Sequence, residues 1–223
     1  MTQASVNLFF HKPISVLKEI SYSVGMPLMH LFPTAVLCER LKNSSSLNRK
    51  LLEDIRTISQ EDELGIRWSL ENYQGGYTSY SSLNDLHHRF PSFQEFESRL
   101  TPHIQKFGRS EKWATRGMRW VLTSTWANIM NKGSHHASHL HPHSSVSGVY
   151  YVSIPNGSAL LKIEDPRMTS LMSAPIRPII QTVEPKEGMF VAFESWVRHE
   201  VAPHQNKKPR ISISFNYSLE RAE

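Results

Sequence analysis

Histidines are concentrated in one short stretch of this chain. Five of its 12 histidines lie between residues 135 and 143, in the run GSHHASHLHPHSS. On a strand, residues two apart point to the same side, so His139 and His141 can present both imidazoles to one point. Gly133 and Pro142 on the two flanks argue against a helix here. A His-x-His pair on a strand suits a first-row transition metal. The alternatives are a solvent-exposed, histidine-rich loop or an incidental metal binder.

A third ligand has to come from another part of the chain. The segment EGMFVAFESWVRHEV supplies His199, which follows a predicted strand. Taken by itself, His199 could equally be a packed core histidine. Arg210 then opens RISIS, where an inward-facing guanidinium beside Ser212 would suit a carboxylate, because its planar fork makes two parallel charge-assisted bonds. The alternative for Arg210 is a charge at a sheet edge, in one cluster with Lys207 and Lys208.

The order of these features resembles that of non-haem-iron, 2-oxoglutarate-dependent oxygenases built on a double-stranded β-helix. The likeness extends over segments that occur in the order FPTAV, NYQGGYTSY, TWANIMNKG, SHLHPHSSVSGVYYVSIP, EDPR, VEPKEGMFVAFESWVRHEV and RISISFNY. They are similar to an uncharacterised bacterial and phage family of 2-oxoglutarate- and Fe(II)-dependent oxygenases with an H-x-H-P…S-G-V-Y-Y core. The resemblance runs from about Leu31 to Tyr217 and is strongest between His139 and Pro155.

The resemblance implies a metal centre and a co-substrate site. Fe(II) would be held by His139, His141 and His199, the catalytic metal ligands of the site. Arg210 would grip the distal carboxylate of 2-oxoglutarate, and Ser212 would assist it. The implied cofactors are therefore Fe(II), 2-oxoglutarate and O2, with ascorbate as an addition in vitro.

Three further residues are assigned to the co-substrate site by resemblance. Related prolyl hydroxylases carry a YYLN strand whose second tyrosine bonds the same carboxylate, and Tyr151 takes that position in GVYYVS. Asn128 in TWANI and Asn216 in SFNY match the family pattern and would reach the pocket. Either asparagine could instead satisfy a backbone group of the sheet.

The second metal ligand departs from the pattern of the wider superfamily. An aspartate or glutamate normally stands where this chain has His141, which leaves the site short of one negative charge. Three neutral histidines are known from cupin-type iron dioxygenases that do not use 2-oxoglutarate, and these are the chief rival. That rival gives no reason for an Arg-x-Ser after the last histidine. A non-catalytic, metal-binding β-barrel is the alternative from a different class. Should His141 not bind, His136 or His143 would replace it.

The expected function is that of an Fe(II)/2-oxoglutarate-dependent dioxygenase. Oxidative decarboxylation to succinate and carbon dioxide would drive hydroxylation of a C–H bond in a small molecule, amino acid or peptide. Halogenation is disfavoured because halogenases of this superfamily have alanine or glycine at the second ligand position. Desaturation, cyclisation and the oligomeric state stay open.

Composition limits the class of protein. The chain has 223 residues, 39% of them hydrophobic and 20% charged, which favours one globular domain. The single cysteine, Cys38 in AVLCERL, excludes an internal disulfide and predicts a buried packing residue. We expect a cytoplasmic protein with no membrane segment. The formal charge of +5 is too weak and scattered to indicate a nucleic-acid partner.

The elements that position these residues fall into three regions. Residues 1–30 read as an N-terminal extension, 31–118 as a mainly helical support and 119–223 as the double-stranded β-helix (jelly-roll, cupin-like) core, in one domain overall. The support contains a helix over residues 47–60, and a second helix that starts in a capping box at Ser92 and ends or bends at Pro102. A glycine-containing loop over residues 72–82 could cover the pocket.

Six β-rich runs after Trp120 predict an antiparallel sandwich or barrel: WVLTSTWANI, SVSGVYYVSI, SALLKIED, RPIIQTVE, GMFVAF and RISISFNYSL. In the last of them, apolar residues alternate with polar ones from Ile211 to Tyr217. One face of this strand should therefore pack in the core and the other should line a pocket.

Overall fold

The computed structural model describes residues 31–113, 116–167 and 178–222, together with Thr169 and Met172. Residues Thr34–Glu223 form one compact unit. The predicted extension over residues 1–30 lies outside the described residues. The division between support and core at residues 118 and 119 stays a prediction.

The support region contains helices and two short strands. Its elements are β1 (Val36–Arg40), α1 (Ser44–Glu61), α2 (Glu63–Asn72), β2 (Tyr77–Thr78), α3 (Leu86–Arg89) and α4 (Pro91–Ser110). The apolar stripe that predicted the first helix is confirmed, because Leu47, Leu51, Ile55 and Ile58 are all buried on α1. Among the described residues, none of the helices combines the length and the apolar character that crossing a membrane would require.

The capping box predicted at Ser92 for the second long helix is wrong, and so is the prediction that this helix ends at Pro102. Helix α4 begins at Pro91 without a side-chain cap, because the Ser92 hydroxyl donates to the Asp54 carboxylate instead. The helix continues through Pro102 to Ser110. Pro102 is exposed, and because it has no N–H it removes one backbone hydrogen bond of the helix. The row of buried side chains on α4 nevertheless continues on both sides of Pro102. Packing of the helix face thus outweighs the local cost.

The remaining strands build two antiparallel sheets. They are β3 (Met118–Met130), β4 (His136–His139), β5 (Val146–Ser153), β6 (Leu161–Glu164), β7 (Ile180–Val183), β8 (Met189–Glu194), β9 (His199–Val201) and β10 (Arg210–Arg221). The larger sheet has the order β1-β8-β5-β10-β3-β2, and the smaller has the order β4-β9-β6-β7. The expectation of an antiparallel, mainly β core with flanking helices is confirmed.

The larger sheet packs helices on one face and forms the wall of the site with the other. Ile211, Ile213, Phe215 and Tyr217 of β10 are buried in a cluster shared with α1 and α4. The side chains between them include Ser212 and Ser214, which line a cavity between the two sheets. The predicted alternation along β10 is therefore confirmed.

Two expectations for the support region are corrected. Cys38 is exposed rather than buried, because it lies on β1 at the edge of the larger sheet, where one face has little to pack against. The segment over residues 72–82 is not only a loop, since it contains β2, which pairs with Asn128 and Ile129 of β3. The Tyr77 hydroxyl of β2 also donates to Asp62, at 2.8 Å.

Candidate metal centre and adjoining pocket

Three histidines converge at the end of the smaller sheet. His139 ends β4, His199 begins β9, and the two are paired across the sheet. One possible ligand atom from each of His139, His141 and His199 lies within 4.8 Å of the others. The sequence had predicted His141 on the same strand as His139, but β4 ends at His139. His141 lies two residues further on, where its backbone N–H donates to the Ser195 carbonyl at 2.9 Å. Its ring still meets the other two imidazoles.

The hydrogen bonds of two of these rings define their tautomers. His139 Nδ1 lies 2.7 Å from the Ala137 carbonyl, and His199 Nδ1 lies 2.9 Å from the Val197 carbonyl. A carbonyl oxygen only accepts, so each Nδ1 must carry the proton. The lone pair of each ring is then on Nε2, which is free to bind a metal.

The cluster favours neutral imidazoles. Burial lowers the pKa of His141 to about 3, and the neighbouring His199 and His139 lower it further. Burial, followed by the charge of His139, lowers the pKa of His199 to about 4. Since a metal binds the unprotonated ring, these shifts keep two ligands ready for a cation at neutral pH.

A buried guanidinium shares a cavity with the histidines. This cavity, of about 30 Å³, is bordered by His139, His141, His199, Arg210 and Ser212. Arg210 is only 1% exposed, and its Nη1 donates to Ser212 Oγ at 3.1 Å. No described residue accepts a hydrogen bond from its Nε or Nη2. A buried cation with free donors is costly unless an anion pairs with it.

Tyr151 is a second buried polar group, and it lies beside Arg210. Its ring centroid lies 5.0 Å from Arg210 Cζ, and its buried hydroxyl makes no hydrogen bond of good geometry with any described residue. Burial raises the pKa of Tyr151, whereas the charge of Arg210 and its hydrogen-bonding guanidinium oppose that rise. The fork of Arg210 and the hydroxyl of Tyr151 together make a donor set that fits a carboxylate. The residues present therefore fit both an iron(II) ion and a 2-oxo acid with a distal carboxylate.

The two predicted asparagines do not border the cavity of Arg210. Asn128 and Asn216 line an outer chamber of about 450 Å³ that shares His139 and His141 with the inner cavity. Asn128 accepts from Thr78 Oγ1 at 2.8 Å and donates to Ser214. Asn216 similarly accepts from one serine hydroxyl and donates to another. Their amides thus bind side chains rather than backbone groups of the sheet.

The outer chamber has an aromatic wall that the sequence analysis missed. Trp68, Tyr80 and Trp126 line it, with Tyr80 and Trp126 in edge contact at 5.2 Å between centroids. The Trp126 ring lies 5.7 Å from that of His141. Trp126 could have been found, because it stands two residues before Asn128 on β3 and so faces the same side.

The other candidates from the sequence have different positions. His136 borders both the inner cavity and the outer chamber, and burial, followed by the charge of Arg210, lowers its pKa to about 3. His135 lines only the chamber, and His143 is exposed in a turn with a φ of 66°. Among the described residues, the group with metal-binding geometry is the one formed by His139, His141 and His199.

Comparisons with known proteins find one family model and several solved structures to which this chain is similar. Residues 124–216 match the family described as "Putative 2OG-Fe(II) oxygenase". Similar solved structures include a Pseudomonas putida prolyl-4-hydroxylase, 18% identical with a TM-score of 0.57, over 85% of this chain and 94% of that one. A Trichoplax adhaerens prolyl hydroxylase, solved with a hypoxia inducible factor oxygen degradation domain peptide fragment, is 16% identical with a TM-score of 0.56, over 82% and 83%.

A third similar structure is the non-heme alpha ketoglutarate dependent epimerase SnoN from nogalamycin biosynthesis. It is 11% identical with a TM-score of 0.60, over 82% of this chain and 77% of that one. No curated protein matches the chain. The likeness to these structures confirms the double-stranded β-helix fold.

Proposed function

We propose that this chain, whose residues 124–216 match the 2OG-Fe(II) oxygenase family model, holds Fe(II) through His139, His141 and His199 and binds 2-oxoglutarate through Arg210. The observation that carries the proposal is the buried, unpartnered fork of Arg210 in one cavity with three converging imidazoles. The three-histidine cupin alternative gives no reason for an Arg-x-Ser at this spacing after the last histidine. The family match and Arg210 therefore favour the 2-oxoglutarate-dependent reaction.

The protein's own groups would each have a defined part in this reaction. When bound together, iron, 2-oxoglutarate and O2 supply the oxidising power that hydroxylates a C–H bond, with succinate and carbon dioxide as co-products. The Ala137 and Val197 carbonyls hold the protons of His139 and His199 on Nδ1. Arg210 would fix the orientation of the co-substrate from its distal end.

The unusual ligand set makes the charge balance of the site depend on the co-substrate. With His141 in place of a carboxylate, the ligands add no negative charge to the metal. A dianionic co-substrate would offset two of the three positive charges that iron(II) and Arg210 bring together. Apolar side chains on the cavity wall, among them Val149, Leu161 and Phe193, keep water away from these charges and strengthen their attraction.

The outer chamber is where we propose that the substrate binds. It borders His139 and His141, so a group inserted there would lie against the metal centre. Its aromatic wall of Trp68, Tyr80 and Trp126 suits an apolar portion of a small molecule, amino acid or peptide. The single cysteine agrees with a reducing compartment, and we propose the cytoplasm.

The test is release of succinate from 2-oxoglutarate by the purified protein with Fe(II) and ascorbate. We expect succinate from the unmodified protein and none above background from His141→Ala. His143→Ala is the matched control, because His143 is exposed in a turn and is not part of the cluster, and it should retain the activity. Oxygen consumption without succinate would overturn the proposal in favour of the cupin-type reaction.

A further inference from the structure

Tyr73 is a buried residue that lines the outer chamber. It caps the C-terminal end of α2, and its N–H donates to the Ser69 carbonyl at 2.8 Å. The side chain is 6% exposed, and its ring lies 4.8 Å from the ring of His136, which borders both spaces. Tyr73 therefore belongs to the support region but reaches the site between the sheets.

The two glycines after Tyr73 make this position possible. A Cβ on Gly76 would stand 2.4 Å from Cε1 of the Tyr73 ring, so no larger residue fits there without moving the ring. Gly75 has a φ of +73°, a left-handed backbone conformation that glycine adopts readily, and this allows the chain to turn so that Gly76 approaches Tyr73. The Gly76 N–H then donates to the Tyr73 carbonyl at 3.0 Å. The Y-Q-G-G sequence thus builds a seat for the tyrosine ring.

The hydroxyl of Tyr73 has no partner among the described residues, although it is fully buried. Buried tyrosine hydroxyls usually have a hydrogen-bond partner, as Tyr77 does four residues later, where its hydroxyl donates to Asp62. An unsatisfied buried hydroxyl costs stability and calls for an explanation such as an absent ligand. Tyr73 shares its buried cluster with Tyr151, whose hydroxyl is also unpartnered.

Arg210 completes this group of unpartnered atoms. Burial raises the pKa of Tyr73, and the positive charge of Arg210 opposes that rise, which agrees with their being near one another. The Nε and Nη2 of Arg210 and the hydroxyls of Tyr73 and Tyr151 make no hydrogen bond of good geometry among the described residues. A carboxylate has about four lone-pair sites and is an acceptor for donors of this kind.

We propose that Tyr73 donates its hydroxyl hydrogen to the distal carboxylate of the 2-oxoglutarate that Arg210 binds. This inference rests on the proposed function and adds a positioning residue from outside the barrel. Because the same ring lines the outer chamber, binding of the co-substrate would also fix one wall of the substrate pocket. Tyr73 would in this way link the two binding events.

The test compares Tyr73→Phe with Tyr77→Phe, since both changes remove one buried hydroxyl from the same segment. Binding of 2-oxoglutarate and of 2-oxobutyrate, which lacks the distal carboxylate, is measured calorimetrically to the Fe(II)-loaded proteins without oxygen. Tyr73→Phe should weaken 2-oxoglutarate binding about ten- to hundredfold and leave 2-oxobutyrate binding unchanged. Its Tm without ligand should not fall, whereas Tyr77→Phe should lower the Tm and leave both affinities unchanged.

Two results would overturn the inference. Equal affinity of Tyr73→Phe and the unmodified protein for 2-oxoglutarate would exclude the hydrogen bond. Equal weakening of both 2-oxo acids, with a lower Tm, would assign Tyr73 a merely structural role. Failure of the unmodified protein itself to bind 2-oxoglutarate would overturn the proposed function as well, so the two failures are distinguishable.

Discussion

Replacement of Arg210 by glutamine should remove most of the affinity for 2-oxoglutarate. The change deletes the charge and the fork that supply two free donors, Nε and Nη2, in a position that is 1% exposed. Breaking a buried, charge-assisted pair costs about 2–5 kcal/mol. At about 1.4 kcal/mol for each factor of ten, the Kd should rise by roughly 30-fold to several thousandfold.

The assay is a calorimetric titration of 2-oxoglutarate into the Fe(II)-loaded protein without oxygen. Arg210→Lys should recover only part of the affinity, because an ammonium cannot make the bidentate contact. The control is Arg198→Gln, since the Arg198 side chain is 48% exposed and lies 3.7 Å from Glu164. That variant should bind 2-oxoglutarate as the unmodified protein does.

A thermal measurement separates loss of binding from loss of folding. Without ligand, the unpaired Arg210 is itself a cost to the fold, so Arg210→Gln should retain the Tm of the unmodified protein or exceed it. Saturating 2-oxoglutarate should raise the Tm of the unmodified protein and not that of the variant. An unchanged Kd in Arg210→Gln, or an equal loss in Arg198→Gln, would refute the assignment.

Three further predictions concern pH, the tyrosine seat and the core. The pKa values of His141 and His199 are lowered to about 3 and about 4 from an ordinary value near 6.5. Below about pH 6.5 the unfolded chain therefore binds more protons than the folded chain, so the Tm of the metal-free protein should fall as the pH is lowered from about 7 to about 5. A constant Tm would contradict this. Gly76→Ala should weaken 2-oxoglutarate binding in the same titration by displacing the tyrosine ring that packs on it, and unchanged binding would count against that seat. Phe96→Ala should lower the free energy of unfolding by about 3–5 kcal/mol in a urea titration, because Phe96 is fully buried. Leu70 is 81% exposed, so Leu70→Ala should change the same quantity by less than about 0.5 kcal/mol. Similar losses from the two variants would be inconsistent with a core shared by helix and sheet.

Much of the site was predictable because its signals are local. The alternation of β10 follows from the period of a strand, and the His-x-His pair could be recognised from its residue types. The helix α1 was predictable because its buried residues recur at three- and four-residue spacing. These features depend on neighbours in the sequence, so the sequence alone could indicate them.

The features that the sequence did not predict depend on contacts between distant segments. The backbone at His141 is held by a hydrogen bond to the Ser195 carbonyl, which no local pattern signals. The N-terminus of α4 is decided by Ser92 and Asp54, 38 residues apart in the chain. Tyr73 reads as an ordinary loop residue until the structure brings it beside His136. Tertiary contacts of this kind override local preference.

The most direct test of the three-histidine, 2-oxoglutarate-binding centre is the visible absorption spectrum of the Fe(II) protein when 2-oxoglutarate is added without oxygen. Chelation of the metal by the 2-oxo acid should produce a metal-to-ligand charge-transfer band that a metal chelator abolishes and that His141→Ala does not form. A protein that binds iron through these histidines but gives neither the band nor, once oxygen is admitted, succinate would contradict the account.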